Sequence, residues 1–363
     1  MLRRSAAWGV VLAVVVLAAP GRVGAAAADA QEIQIGRQAA AQIESRLKVV
    51  TDPAVADRVA RIGAVVAAQT QRPYLPFLFK VVESPQVNAV ALPGGSVYVT
   101  TGLLKFVRSD HELAAVLAHE AAHAALGHGM EMMRRANRAA FVTLLIAVVT
   151  RDPALVQGGV IFSQGLLAGY TRDLEREADL ASIDYLTRTP FSPVAVLTVL
   201  ERLLRTEQLA PQPEVLAFAD HPKTSERVQY VQQALADRRI PLHRRAPANY
   251  LVLRTRESQD GNTFHAEILV NDRPIVRLTD LSKIRAAAEA LDRLFDDDLE
   301  PYEVTARETS DGWGVFARGF AILRLTPRDV PAGGGTVRDF AAGIAARLKA
   351  AIDDDIRRRR MDN

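Results

Sequence analysis

The run His119-Glu120-Ala121-Ala122-His123 constrains the fold and chemistry of this chain more than any other stretch. In an α-helix, residues four apart lie on one face, one turn apart, so the two imidazoles can share a metal ion. Glu120 lies beside that face, where its carboxylate could act as a base on a nearby water. The alternative is a helix that carries these residue types by chance, and the flanking sequence weighs against it.

The residues around this run predict the helix that such chemistry needs. Ser109 and Glu112 form a capping-box pattern, with Ser109 as the N-cap and Glu112 reaching back. Gly127 stands where a helix C-cap is expected. Between them, apolar residues recur at helical spacing: Leu113, Val116, Leu117 and Ala121.

A second helical stretch, residues 171–186, carries carboxylates that suit such a site. Glu175 and Asp179 are four apart and share a face, whereas Glu177 points elsewhere. A carboxylate can be the third protein ligand of zinc, and another can accept the free ring N–H of a ligand histidine. A solvent-exposed, salt-bridged helix with two arginines of the same stretch explains these residues equally well.

Composition limits the kind of protein and the kind of site. The 363 residues predict two domains rather than one. A net charge of +3 and a hydrophobic fraction of 49% are typical of a globular protein with a sizeable core and do not indicate nucleic-acid binding. The sequence has no cysteine, so disulfides, thiolate catalysis and cysteine ligands are excluded and any zinc site must use His, Glu or Asp.

The N-terminal residues 1–28 have the pattern of a secretory signal peptide. Arg3 and Arg4 precede an apolar stretch from Ala6 to Ala19, and small residues near 26–28 follow as a cleavage site. An uncleaved membrane anchor is the alternative, but the stretch is short for that role. We therefore expect an exported or periplasmic protein.

Before the histidine run, the sequence predicts helices over 31–48 and from Asp52 to about residue 70, a strand over 77–82, and a hairpin. The hairpin arms are 87–92 and 97–100, and Pro93-Gly94-Gly95 is the turn signal. A plain structural hairpin is one interpretation. In the other, an exposed edge strand binds an extended substrate by strand addition. The candidate substrate-binding residues are Asn88, Ala89, Val90 and Ala91.

Residues 139–169 include the most apolar part of the chain after the N-terminus. Two apolar segments, 141–149 and 155–167, are each too short to span a bilayer. The sequence leaves two interpretations open: a buried helical hairpin over the active site, or a hairpin that contacts a membrane or a membrane-protein client.

Residues 238–249 predict a linker, and residues 249–363 predict a separate α+β module of unknown role. IVRLT at 275–279 is echoed by ILRLT at 322–326. We interpret the module as two β-hairpin-plus-helix units, with duplication as a hypothesis. It contains no nucleophile triad, phosphate loop or metal-ligand cluster, so client binding or a scaffold role is expected.

Four ordered motifs together resemble one protein family. They are His119-Glu120-x-x-His123 followed by His128; Arg172 with Glu175 and Asp179; the hairpin from Asn88 to Gly95; and His221-Pro222 with Arg227. The pattern resembles the gluzincin zinc metallopeptidases that include HtpX, BepA and the CAAX prenyl endoproteases. Because this chain lacks the long spanning helices of the membrane-embedded members, it looks more like the soluble periplasmic branch.

The resemblance implies one zinc ion per chain, bound by His119, His123 and Glu175. It implies Glu120 as the general base, Asp179 behind a ligand histidine, and His221 near the metal, as an oxyanion stabiliser or a cap on the open zinc position.

The implied fold is a mainly helical zincin-like α+β domain over residues 29–240, with a small β-hairpin sheet. Polypeptides are the expected substrates, specifically misfolded outer-membrane or envelope proteins. The alternative function is a chaperone-like client-binding protein with a latent zinc site.

Overall fold

The computed structural model describes residues 20–135, 168–209, 224–297, 299–331 and 333–361. As predicted, the fold is mixed α+β. The first part contains α1 (Pro20–Arg46), α2 (Pro53–Ala67), β1 (Leu78–Val82), β2 (Ala89–Ala91), β3 (Ser96–Thr100), α3 (Thr101–Phe106), α4 (Asp110–Leu126), α5 (His128–Arg135), α6 (Ala168–Leu186), α7 (Val194–Leu209) and α8 (Thr224–Asp237). The second part contains α9 (Arg245–Ala248), β4 (Leu253–Asp260), β5 (Thr263–Val270), β6 (Arg273–Leu278), α10 (Leu281–Asp296), β7 (Val304–Thr309), β8 (Gly312–Ala317), β9 (Phe320–Leu325) and α11 (Val337–Met361).

The central element is α4, which carries the histidine run. Its N-terminus is capped by Ser109, whose Oγ accepts the N–H of Glu112 at 3.1 Å, and its C-terminus ends at Gly127 with φ +74°. Both caps were predicted. The helix is buried on almost every side, because alanines on its other faces let α2, α6 and α7 pack against it.

The role predicted for Glu112 in the capping box was incomplete. Its Oε2 accepts the N–H of Arg108, one residue before the N-cap, at 2.8 Å. The other oxygen pairs with the guanidinium of Arg202 on α7 and accepts the hydroxyl of Thr198. Glu112 is fully buried, and a carboxylate in that position requires a counter-charge, so it ties α4 to α7.

The small sheet lies between α1 on one face and α2 with α4 on the other. Its strand order is β1-β3-β2, with β1 parallel and β2 antiparallel to β3. The predicted hairpin is therefore confirmed. In the described part of the chain, no strand pairs with the outer edge of β2.

The hairpin turn rests against α1. Gly94 has φ +79°, and a Cβ added there would lie 2.6 Å from the Cα of Ile33. Glu32, which is buried on α1, accepts the N–H of Gly94 at 3.1 Å and pairs with Arg72 at 2.7 Å. The N-terminal helix therefore holds the turn that precedes β3.

Gly94→Ala is expected to lower the free energy of unfolding by about 2–5 kcal/mol. The left-handed backbone costs a side chain about 1–2 kcal/mol, and overpacking adds about 1–3 kcal/mol. Gly127→Ala is the matched control, because Gly127 has φ +74° and its added Cβ would meet only the Nη1 of Arg72, at 3.9 Å. Urea denaturation of both variants measures the difference, and equal losses would contradict the close approach to α1.

Each unit of the second part has three antiparallel strands and a helix: β4-β5-β6 with α10, and β7-β8-β9 with α11. The two predicted hairpins correspond to β5-β6 and β8-β9, and the strand predicted over residues 249–256 corresponds to β4, whereas β7 was not predicted. Strand β7 was missed because it is a largely polar edge strand in which only Val304 is fully buried.

The pairing registers of the two units support the duplication hypothesis. Ile268 pairs with Val276, and the register shifts directly after Ile268. Val315 pairs with Leu323, and the register shifts directly after Val315. These pairs occupy equivalent positions in the repeated IVRLT and ILRLT sequences, so both units have the same bulge at the same place.

The two parts have separate hydrophobic clusters. One surrounds α4, and the other is shared by both strand-helix units. The short helix α9 lies between them, where the hydroxyl of Ser109 donates to the carbonyl of Pro247 at 2.5 Å. The division into residues 1–28, 29–240 and 249–363 remains a prediction. Among the described helices, none combines the length and the apolar character needed to cross a membrane.

Candidate metal centre

Helices α4 and α6 bring three predicted side chains together. The Nε2 atoms of His119 and His123 lie 3.1 Å apart. The carboxylate of Glu175 lies 3.3 Å from each, through Oε2 to His119 and Oε1 to His123. One donor atom from each residue lies within 4.8 Å of the others, which is the arrangement of a site that could hold a metal ion.

The donor types fit zinc. Two imidazole nitrogens and one carboxylate oxygen are a common protein ligand set at catalytic zinc sites, and they leave a further coordination position open. Glu120 is 3% exposed, and its Oε1 has no hydrogen-bond partner among the described residues. A cavity of about 30 Å³ borders His119 and Glu120, which is enough space for one water molecule.

A buried ionic network holds the third ligand candidate and the residue behind it. The Nδ1 of His119 lies 3.0 Å from Oδ1 of Asp179. Arg227 on α8 donates from Nε and Nη2 to the two oxygens of Asp179, at 2.9 and 2.8 Å, and its Nη1 lies 3.1 Å from Oε2 of Glu175. The hydroxyl of Tyr230 donates to Asp179 as well. Because Glu175 and Asp179 are buried and pair with an arginine of another helix, the exposed salt-bridge interpretation of this stretch was wrong.

The network shifts the pKa values of its members in the metal-free protein. Burial by itself lowers the pKa of His119, but the carboxylates of Glu175 and Asp179 outweigh it and raise that pKa to about 10. Burial raises the pKa of Asp179, but Arg227 and His119 outweigh it and hold that pKa well below its usual range. Without metal, the network therefore contains a protonated His119 between two carboxylates.

The metal-free protein is expected to lose stability as pH rises above about 6.5, the ordinary histidine pKa. Because the folded pKa of His119 is raised, its contribution is complete below that pH and is lost toward pH 10. Urea midpoints after metal removal by EDTA should fall between pH 6.5 and 9.5, and His119→Gln should flatten that fall. His265→Gln, in β5 of the second part, is the control and should keep it. Parallel profiles for all three proteins would contradict the assignment.

Two residues of the site were not predicted to act there. His128 is 3% exposed, and its Nδ1 lies 2.9 Å from Nδ1 of His123. Its Nε2 lies 3.2 Å from Oε2 of Glu177, the carboxylate expected to point elsewhere. Burial and the neighbouring His123 lower the pKa of His128 to about 3. The available signal was Gly127, because a left-handed C-cap turns the chain so that the next residue can fold back on the helix end.

The predicted substrate-binding residues lie on or beside β2, which packs near α4. The Oδ1 of Asn88 accepts the N–H of Ala89 at 2.8 Å, and its backbone carbonyl accepts the N–H of Thr100 at 3.1 Å. Since alternate residues of an antiparallel strand bond to the partner, the backbone groups of Ala89 and Ala91 face the edge of β2 with which no described strand pairs. His221, Pro222 and the apolar residues 139–167 lie outside the described residues.

Comparison with known proteins places the site in a family. A model of peptidase family M48 matches residues 53–235, about half of the chain. The beta-barrel assembly-enhancing protease of Escherichia coli is 28% identical over 207 residues, which are 54% of this chain and 42% of that protein. The mitochondrial metalloendopeptidase OMA1 of Schizosaccharomyces pombe is 30% identical over 183 residues, which are 50% of this chain and 53% of that protein.

A third relative, the metalloprotease LoiP of Escherichia coli, is 27% identical over 212 residues, 57% of this chain and 82% of that protein. The chain thus spans about half or less of the first two relatives and most of the third. These matches confirm the metallopeptidase resemblance of the motifs. The matched segment includes the converging His119, His123 and Glu175 and the Arg227 that pairs with Glu175, and the chain belongs to peptidase family M48.

Proposed function

We propose that the protein is a zinc-dependent endopeptidase that hydrolyses peptide bonds in polypeptides. The observation that carries the proposal is the convergence of two imidazole nitrogens and the Glu175 carboxylate beside Glu120, whose buried Oε1 has no partner among the described residues. A structural site would use all its coordination positions for protein ligands, whereas the donor set among the described residues leaves one open.

The roles of the residues follow from their positions. Zinc held by His119, His123 and Glu175 would supply a Lewis acid that polarises the scissile carbonyl and makes a water acidic near neutral pH. Glu120 takes the proton of the attacking water and gives it to the nitrogen of the leaving amine. Asp179 holds the Nδ1 side of His119, so that the Nε2 lone pair faces the site.

The substrate backbone is proposed to align along the open edge of β2. Ala91 and the carbonyl of Ala89 direct backbone groups to that edge, and an extended peptide adds to such an edge by hydrogen bonding as a further strand. Strand β2 packs against α4, the helix that carries Glu120, so a peptide added to β2 would bind near that helix. Residues 88–91 are therefore the proposed substrate-binding segment.

The proposed location and clients rest on the sequence and on one relative. The signal-peptide pattern of residues 1–28 supports export to the periplasm or an equivalent compartment. The name of the beta-barrel assembly-enhancing protease supports misfolded outer-membrane or envelope proteins as clients. Residues 29–240 would then be the catalytic domain, and residues 249–363 a client-binding or scaffold module.

Metal analysis and a protease assay on the purified chain test this function together. We expect one zinc ion per chain and cleavage of casein, with activity lost on chelation and restored by added zinc. A folded chain with one bound zinc and no cleavage of casein or of an unfolded outer-membrane protein would overturn the endopeptidase proposal. That result would favour a client-binding protein instead.

A further inference from the structure

We propose that His128 and Glu177 are positioning residues that orient His123 through a chain of hydrogen bonds from the metal centre to the surface. The inference rests on the proposed zinc site, because it concerns how one of its ligands is held. None of the motif roles described above uses either residue.

The hydrogen positions follow from which nitrogen faces the site. The Nε2 of His123 lies 3.3 Å from Glu175 and is the atom available to a metal, so the ring hydrogen of a neutral, ligating His123 is on Nδ1. The Nδ1 of His128 lies 2.9 Å away and must then accept that hydrogen. The hydrogen of His128 is consequently on Nε2, which faces Glu177 at 3.2 Å.

The resulting chain has one direction. His123 Nδ1–H donates to His128 Nδ1, and His128 Nε2–H donates to the Glu177 carboxylate. The rings of His123 and His128 lie 4.9 Å apart between centroids at an interplanar angle of 76°, so they meet edge to face and are not stacked. Side-chain exposure rises from 4% at His128 to 64% at Glu177, so this series of hydrogen bonds ends in solvent.

The two ligand histidines are thereby held differently. His119 faces the buried carboxylate of Asp179, to which Arg227 donates two hydrogen bonds. The Nδ1 of His123 meets a neutral imidazole, which is a weaker acceptor than a carboxylate, and the carboxylate beyond it is screened by water. We expect His123 to be the more easily perturbed ligand.

The test measures zinc affinity by competition with a chelating dye, without substrate. His128→Leu removes the acceptor and should weaken zinc binding about 10- to 100-fold, the usual effect of losing such a partner. His128→Asn places an amide oxygen near the position of Nδ1 and should restore most of the affinity. Glu177→Gln should weaken binding a few-fold, and Asp184→Asn, an exposed carboxylate on the same helix, is the control and should not change it.

A second measurement separates positioning from packing. The visible spectrum of the cobalt-substituted protein should change in His128→Leu and return toward the wild-type spectrum in His128→Asn. Urea midpoints of the metal-free proteins show whether each variant is folded. If the leucine variant does not fold, Glu177→Gln is compared alone and in the His128→Asn background. Its effect should vanish in that background, because asparagine lacks the ring Nε2–H that bonds to Glu177.

Three outcomes would overturn the proposal: wild-type zinc affinity in a folded His128→Leu, equal weakening in the leucine and asparagine variants, or an unchanged effect of Glu177→Gln in the asparagine background. Casein cleavage is measured on the same wild-type preparation. Zinc binding without cleavage would contradict the endopeptidase proposal but not the positioning role of His128. Cleavage together with a zinc affinity that does not change in the His128 variants would contradict the positioning role but not the endopeptidase proposal.

Discussion

Glu120→Gln is expected to lower kcat for peptide hydrolysis by about 100- to 10,000-fold, the range supplied by a general acid-base group. Glutamine has nearly the same shape but does not take up a proton from the attacking water. Glu120 is 3% exposed, and its Oε1 has no hydrogen-bond partner among the described residues. The substitution therefore breaks no described hydrogen bond of that atom. The fold and the zinc content should therefore remain those of the wild type.

The measurement is a steady-state cleavage assay with zinc analysis of the same samples. Asp110→Asn is the matched control, because Asp110 lies on the same helix but is half-exposed and pairs with Arg58 at 2.8 Å. It should cleave at close to the wild-type rate. A fully loaded Glu120→Gln that cleaves as fast as the wild type would show that another group is the base.

Arg227→Met is expected to lower the free energy of unfolding of the metal-free protein by about 3–5 kcal/mol, the usual cost of removing one partner of a buried ion pair. The guanidinium is the donor to both oxygens of Asp179 and also lies 3.1 Å from Glu175. Loss of the guanidinium leaves the buried carboxylates of Asp179 and Glu175 with His119 as their counter-charge. Added zinc should recover part of the loss, because the proposed ion introduces positive charge next to Glu175.

Urea denaturation with and without zinc measures both effects. Arg176→Met is the control, because Arg176 is exposed and lies over the ring of Tyr230 at 5.1 Å, a contact worth about 0.5–1 kcal/mol. Asp179→Asn in the Arg227→Met background should recover stability by removing one of the uncompensated charges. Equal losses in the two arginine variants would contradict a neutralising role for Arg227.

Local sequence rules predicted the elements that carry the site. Ser109 is the N-cap of α4 and Gly127 is its C-cap, as the sequence predicted. The spacing of four residues placed His119 beside His123. The same spacing on α6 placed Glu175 and Asp179 on one face, and both meet the histidines. Each of these signals acts within about one helical turn, which is the range over which backbone hydrogen bonds and side-chain neighbours repeat.

Sequence patterns did not predict the partners of buried charges or the complete strand set. Glu112 of the capping box is neutralised by Arg202, which lies 90 positions later in the sequence. Glu177 lies opposite Glu175 in helical projection and was set aside, yet α5 brings His128 to it. In the second part, β7 has too few buried residues to show an alternating pattern, because it is an edge strand.

The sequence by itself determined the positions of the helices and the hairpin and the residue types that could bind a metal. Only the tertiary structure decided which charges those residues face. Arg227 reaches Asp179 across 48 positions, and His128 reaches Glu177 across 49. The reason is physical: helix periodicity and caps depend on neighbours along the chain, whereas a desolvated charge is satisfied by whichever group the packing of separate helices brings within reach.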